Sequence, residues 1–165
     1  MRMADSLIQE LEQEAASTRR VLDRIPEAKL AWKPHAKSWS LGQLGLHVAQ
    51  IPGSVAELAR RSLTELPVFQ QAQPATKREI LDAHENGVKA AKSALAGWSD
   101  QDMAQEWSMS VGGETKMALP RAGLLRAVMF NHLYHHRGQI LVYLRLVGEA
   151  VPAVYGNSAD ENPLM

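Results

Sequence analysis

Apolar residues recur every three or four positions in four stretches of the chain, the spacing that gathers them on one face of an α-helix. The first stretch ends near Pro26, and its apolar stripe is Leu7, Leu11, Ala15, Thr18, Leu22 and Ile25. The second begins after Ser40, which forms a capping-box signature with Gln43. Its stripe is Leu44, Val48, Ile51, Val55 and Leu58. Pro52 lies inside this stretch and predicts a kink, because proline removes one backbone donor.

A third helix is predicted to follow a linker at 66–74 and to begin near 75 or 76. Its stripe is Leu81, His84, Val88, Ala91, Leu95 and Trp98. After it the apolar spacing changes to two, which is typical of β-strands. Gly112 and Gly113 separate two such alternating runs and indicate a tight turn. A short β-hairpin is therefore predicted, with the alternating residues Trp107, Met109, Val111, Thr115, Met117 and Leu119.

The fourth helix is predicted from about 120 to Val147, with Gly148 just past its end, as helix termini prefer. Its stripe includes two histidines and is Leu124 or Leu125, Val128 or Met129, His132, His136, Ile140, Tyr143 or Leu144, and Val147. Four amphipathic helices joined by short loops predict an all-α four-helix bundle with a short hairpin before the last helix. The chain length of 165 residues suits one domain over 1–165.

The amino-acid composition argues against several classes of function. The chain has 18 basic and 18 acidic residues, and this balance argues against a dedicated nucleic-acid-binding protein. The absence of cysteine excludes disulfides, thiolate ligands and cysteine nucleophiles, and it fits a reducing compartment. No apolar run is long enough to span a bilayer, and the N-terminus lacks the core of a signal peptide. We therefore expect a cytoplasmic protein without a membrane partner.

Histidine is the concentrated source of chemistry. His132 and His136 are four residues apart, about 40° around a helix axis, so both are predicted to point into the bundle. Two imidazoles one turn apart can bind one first-row metal ion. A mononuclear catalytic site usually takes a third protein ligand, here from another helix. His47 flanks the apolar face of the second helix and His84 lies on that of the third. His47 is the best candidate for the third ligand and His84 is its rival, and the alternative for each is a hydrogen-bonded core residue.

Familiar catalytic motifs are missing. Leu133 occupies the position of the glutamate in the His-Glu-x-x-His motif of metalloproteases, so that motif's general base is absent. The chain also has no Gly-x-Ser-x-Gly elbow and no P-loop. The catalytic residues are therefore unknown from the sequence.

Four residues near the histidines are candidates for supporting roles. Gln43 lies one turn before His47 and is a candidate partner for its ring. Gln139 either orients a group bound to the metal or satisfies a polar contact in the core. Arg137 either anchors an anionic substrate or pairs with a carboxylate at a dimer surface. Tyr155 either covers the site from the tail or forms a turn. His84 is also a candidate fourth ligand.

Four segments belong together: residues 39–43 (Trp-Ser-Leu-Gly-Gln) followed by His47, residues 131–139 with the pattern His-x-x-x-His-Arg-Gly-Gln, and residues 141–145 and 151–156. Taken together they resemble the DinB-like family of metal-binding four-helix bundles, also called YfiT-like or bacillithiol-transferase-like proteins. The resemblance covers nearly the whole chain. It implies that three histidines bind one divalent metal ion, and it places them at His47, His132 and His136.

The resemblance also implies a cofactor, partners and a reaction class. The cofactor is one divalent transition metal ion per chain, zinc or nickel first, with iron or manganese as alternatives. The partners are a second copy of the chain in a homodimer, a low-molecular-weight thiol and a small electrophile, since relatives include thiol-S-transferases and isomerases. The expected function is a metal-dependent small-molecule transferase of the thiol-S-transferase type, or a hydrolase. The alternative is a non-catalytic metal-binding stress-response or interaction protein. A substrate-sized pocket favours an enzyme, and a fourth protein ligand favours a structural site.

Overall fold

The computed structural model describes residues 2–63, 65 and 70–162. Six α-helices carry most of it: α1 Met3–Asp23, α2 Leu41–Leu58, α3 Lys77–Ala96, α4 Asp100–Ala104, α5 Arg121–Leu124 and α6 His132–Leu146. A 3₁₀ turn covers Glu27–Lys29, and two antiparallel strands, β1 Glu106–Val111 and β2 Glu114–Pro120, form a hairpin. The predicted fold class, a helical fold with a small hairpin before the last helix, is confirmed. Residues 66–69 of the predicted linker lie outside the described residues.

Local capping explains where the helices begin. The Ser40 hydroxyl accepts a hydrogen bond from the Gln43 backbone N–H, and the Gln43 side chain accepts one from the Ser40 backbone N–H. This capping box satisfies two backbone donors at the start of α2. Thr76 caps α3 in the same way through the Glu79 backbone N–H. The predicted starts of α2 and α3 are confirmed. They could be predicted because each cap joins residues only three positions apart.

Helix α2 is the central element of the core. It is buried along most of its length, and Pro52 lies inside it without ending it. Gly53 permits its close approach to α3, since a Cβ atom at this position would lie 2.9 Å from the Gly87 Cα atom. None of the helices in the described part of the chain has the length and apolar character needed to cross a bilayer.

The hairpin packs on the C-terminal end of α2. Its turn is made by Gly112 and Gly113, whose φ angles of 59° and 80° are the positive values that this kind of turn requires. The indole N–H of Trp107 donates to the backbone carbonyls of Leu58 and Arg61, at 3.0 and 2.8 Å. Leu63 extends the contact as an isolated β-bridge to Met109. The hairpin therefore covers one side of the space next to α2.

The last helix departs from the predicted continuous α-helix. A π-helical segment, Leu125–Asn131, joins α5 to α6. A π-helix holds more residues per turn, so it shifts the face that the following residues present. The fully buried stripe of α6 is Leu133, Arg137, Ile140 and Leu144. The prediction that His132 and His136 lie within that stripe is therefore wrong in detail, since each precedes a buried residue and is itself only partly buried.

Candidate metal centre

Three histidines from two helices converge at one point. His47 comes from α2, and His132 and His136 come from the first turns of α6. The Nε2 atom of His132 lies 3.4 Å from that of His47 and 2.7 Å from that of His136. One ligand atom from each ring lies within 4.8 Å of the other two. The three histidines are thus positioned to bind a metal ion.

The spacing of the nitrogen atoms fits a first-row ion. Bonds of about 2.0–2.1 Å to a tetrahedral zinc ion place two imidazole nitrogens about 3.3 Å apart. The separation between His47 and His132 matches this value. The closer pair, His132 and His136, has to open by about 0.6 Å to reach it, which is a small rotation of one ring.

The outer nitrogens of the rings have acceptors of their own. His136 Nδ1 donates to the Gln139 Oε1 atom at 2.7 Å. The Val128 backbone acts as an acceptor toward the His132 ring and raises the pKa of His132. A neutral imidazole carries one N–H, and in both rings it is on the outer nitrogen. The Nε2 atoms of His132 and His136 therefore present lone pairs to each other. Lone pairs that face each other repel unless a cation lies between them, so this donor set fits a metal ion.

Gln71 lies against the third ring. The approach of its side chain is the one influence that raises the pKa of His47. The contact between Gln71 and His47 is looser than the hydrogen bond between Gln139 and His136. The buried Oε1 atom of Gln71 has no partner in hydrogen-bonding geometry among the described residues. Its amide nitrogen donates to Gln50 Oε1 at 3.4 Å. Gln71 thus lies against His47 and is hydrogen-bonded to Gln50.

Electrostatics keep the rings neutral. Burial, and after it the neighbouring His136 and His132, together lower the pKa of His47 to about 4. Burial is also the largest cause that lowers the pKa of His132 and of His136. Near pH 7 the three imidazoles are therefore in the uncharged form that binds metal ions.

Trp39 packs over the triad on one side. The centroid of its ring lies 4.8 Å from that of His47 and 5.9 Å from that of His136. It precedes the cap of α2, so the same local turn that starts the helix also sets the indole beside the imidazoles. The sequence analysis did not single out Trp39 or Gln71 as site residues. The position of Trp39 next to a capping box was the available signal, and Gln71 had none.

An apolar cleft of about 480 Å³ opens beside the triad. His47 and His132 form part of its wall, and Gln50 and Ser54 lie in the wall near His47 on α2. The remaining wall is contributed mainly by apolar residues of α2, the hairpin and the last helix: Ile51, Val55, Leu58, Leu63, Trp107, Met109, Met117, Leu124 and Val128. This volume lies in the usual range of small-molecule sites.

The two glutamine candidates act at different places. Both ends of the Gln43 amide are used next to the helix cap, on the Ser40 backbone N–H and the Gln71 carbonyl. It is therefore Gln71 that lies against His47. Gln139 is exposed and holds His136, so it does not fill a polar contact in the core.

Arg137 and Tyr155 belong to a separate network. Arg137 is 1% exposed and forms an ion pair of 2.7 Å with Glu14 of α1. It also donates to the Thr18 hydroxyl at 3.0 Å and to the Tyr155 hydroxyl at 2.6 Å. Its carboxylate partner is thus within the same chain, rather than at a dimer surface or on a substrate. Tyr155 packs on Arg137 and does not line the cleft beside the triad.

His84 lies apart from the triad. Its Nε2 atom is 3.1 Å from the carbonyl oxygen of Ala15, so the ring packs between α3 and α1. In residues 2–63, 65 and 70–162 the only group of three or more potential metal ligands is His47, His132 and His136. The structure therefore places His84 outside this group, in the core position that was the alternative for it.

Comparison with known proteins gives consistent relatives. The chain is 27% identical over 159 residues to the uncharacterized protein YrdA of Bacillus subtilis, a match that covers 95% of this chain and 90% of the relative. A DinB-like protein from Bacillus cereus superimposes with a TM-score of 0.73 at 23% identity, covering 92% of this chain and 97% of its own. A DinB-like protein from Bacillus subtilis superimposes with a TM-score of 0.69 at 15% identity, covering 91% and 96%.

The two structural likenesses, at these identities, show the fold alone. The match to a family profile is the more specific finding. The profile of the DinB family matches residues 1–163. That match spans the predicted metal ligands as well as both ends of the bundle. The chain belongs to the DinB family.

Proposed function

We propose that this protein is a metal-dependent enzyme that acts on small molecules, as a transferase of the thiol-S-transferase type or as a hydrolase. The observation that carries the proposal is the convergence of three imidazole nitrogens at the wall of a substrate-sized cleft. Among the described residues no fourth side chain joins this group, which leaves room for a substrate atom beside a bound ion. This arrangement favours an enzyme over a structural metal site.

The residues of the chain have distinct parts in this proposal. A zinc or nickel ion held by three neutral imidazoles would act as a Lewis acid toward a thiol or a water molecule. His47, His132 and His136 hold the ion, and Gln139 and the Val128 backbone fix the orientation of the two rings on α6. The indole of Trp39 packs against two of the rings and keeps water from that side. The homodimer and the thiol partner stay predictions.

The test compares turnover with and without metal. Tag-free protein is stripped with a chelator, reloaded with zinc or nickel, and mixed with a small thiol and an electrophile, or with activated esters. We expect about one ion per chain and a rate of thiol or ester consumption well above that of the stripped protein. The His136→Ala protein, treated in the same way, is the control. Turnover by the loaded protein no faster than that of this control across both substrate panels contradicts the proposal. Metal binding without turnover supports the non-catalytic alternative.

The hydrogen bond from His136 to Gln139 gives a sharper prediction. Replacing Gln139 with alanine is expected to weaken metal binding about 10- to 100-fold, because partners of this kind fix the ring orientation and raise its basicity. Competition with a chromophoric chelator measures the change. Gln13→Ala, at another exposed helical glutamine, is the matched control and is expected to bind as the unaltered protein does. Equal affinities for the two variants contradict the role given to Gln139.

A further inference from the structure

We propose that the cleft beside the triad binds the uncharged, apolar body of the substrate, an aliphatic or aromatic group whose reacting end alone reaches the imidazoles. This inference rests on the proposed function and deepens it, since it names the class of molecule that the site takes. The apolar residues that line the cleft, and the absence of charged side chains among the described ones, support it.

Charge is missing from the described lining of the cleft. Its described residues include no lysine, arginine, aspartate or glutamate. Transfer of an ionised group into such surroundings without a partner is strongly unfavourable. A thiol or electrophile that carries several carboxylates in its body has no cation to pair with there. The lining therefore selects an uncharged molecule.

The shape of the wall favours flat or branched apolar groups. Two indoles, Trp39 and Trp107, lie in the wall together with the flexible side chains of Met109 and Met117. Trp107 is held in place by its two hydrogen bonds at the end of α2. Methionine adapts to irregular apolar surfaces, so the part of the wall on the hairpin fits several related bodies. A fixed indole and adaptable thioethers together favour aromatic or aliphatic groups of varied outline.

Few polar side chains line the cleft, and most of them lie close to the triad. Gln50 and Ser54 are its uncharged polar residues apart from the two imidazoles, and both lie on α2 within seven residues of His47. Gln50 lies one turn after His47 on α2 and accepts a hydrogen bond from the Gln71 amide nitrogen at 3.4 Å. A bound molecule thus meets the imidazoles and Gln50 at one end of the cleft, and elsewhere Ser54 is the one polar side chain among the described lining residues. The cleft is matched to a molecule with one polar end and an apolar body.

The test uses metal-free protein and an uncharged aromatic probe. N-phenyl-1-naphthylamine, which fluoresces in apolar surroundings, is titrated into chelator-treated protein. We expect saturable binding of about one probe per chain, accompanied by quenching of tryptophan fluorescence, since Trp39 and Trp107 lie in the cleft wall. The anionic probe 8-anilino-1-naphthalenesulfonate is expected to bind at least about tenfold more weakly, because its sulfonate has no partner there.

Variants on the hairpin locate the binding site. Met117 lines the cleft and is 39% exposed, so Met117→Asp adds a charge without disturbing the core; it is expected to weaken binding of the neutral probe at least about tenfold. Met117→Leu keeps the apolar wall and is expected to stay within about twofold. Val111→Asp is the matched control, since Val111 is also 39% exposed on the hairpin but does not line the cleft. Ser54→Phe, which fills the cleft from α2, is a second blocking variant.

Three results overturn the inference: no saturable binding of the neutral probe, equal weakening by Met117→Asp and Val111→Asp, or binding of the sulfonate as tight as that of the neutral probe. Because the titration is done without metal, its outcome is independent of whether the triad binds an ion. Probe binding at the cleft combined with absent turnover supports this inference and contradicts only the proposed function. Turnover without probe binding contradicts this inference and supports the proposed function.

Discussion

Replacing His136 with alanine is expected to reduce the bound divalent metal from about one ion per chain to below about a tenth. The variant removes one of three converging nitrogens, and a pair of imidazoles holds an ion poorly against buffer and competing chelators. Elemental analysis after loading and desalting measures the loss. The unaltered protein is also expected to melt about 5–10 °C higher with metal at roughly 100 times its dissociation constant, a gain that the variant lacks.

The control for this experiment is the neighbouring histidine. His135 is exposed on α6, and its ring lies 4.8 Å from that of His136, but it is not part of the converging group. His135→Ala is therefore expected to keep its full metal content. Retention of one ion per chain by His136→Ala, or an equal loss in His135→Ala, contradicts the assignment of the triad.

Replacing Arg137 with methionine is expected to lower the free energy of unfolding by about 3 kcal/mol, or the melting temperature by roughly 6–12 °C. The variant leaves the Glu14 carboxylate, which is largely buried at the interface of α1 and α6, without its cation, so that the Tyr155 hydroxyl at 2.9 Å is its remaining side-chain donor among the described residues. It also takes away the guanidinium that holds Thr18 and Tyr155. Breaking one side of a buried ion pair is costly, because the remaining charge keeps its desolvation penalty. Thermal and urea denaturation measure the loss.

A second ion pair joins α1 to the last helix and provides the comparison. Arg126 contacts Glu10 through both nitrogens, at 2.7 and 2.6 Å, but the two side chains are 44% and 29% exposed. Arg126→Ala is therefore expected to cost less than about 1 kcal/mol. The double variant Glu14→Gln with Arg137→Met is expected to recover part of the loss, since no buried charge remains. Equal costs for Arg137→Met and Arg126→Ala contradict a structural role for the buried pair.

The sequence by itself determined the first three long helices and the hairpin, because their signals act over a few residues, but it did not predict α4 or the π-helical segment. Ser40 and Thr76 begin helices through hydrogen bonds to backbone groups three residues away. Gly112 and Gly113 make the hairpin turn through their own positive φ angles. The pairing of His132 with His136 follows from one turn of helix and needs no distant partner. The resemblance to the DinB family then selected His47 over His84, which periodicity had left open.

Only the tertiary structure decided what surrounds those residues. His47 meets His132 across 85 positions of sequence, and Trp39, Gln71 and the hairpin reach the site from three further segments. The π-helical segment turns His132 and His136 to the edge of the buried stripe and brings Arg137 into the core. The apolar spacing of the sequence predicted a continuous α-helix there and did not indicate this segment. Contacts between distant segments depend on the packing of whole faces, so the sequence predicted the three histidines and the tertiary structure decided the cleft in front of them.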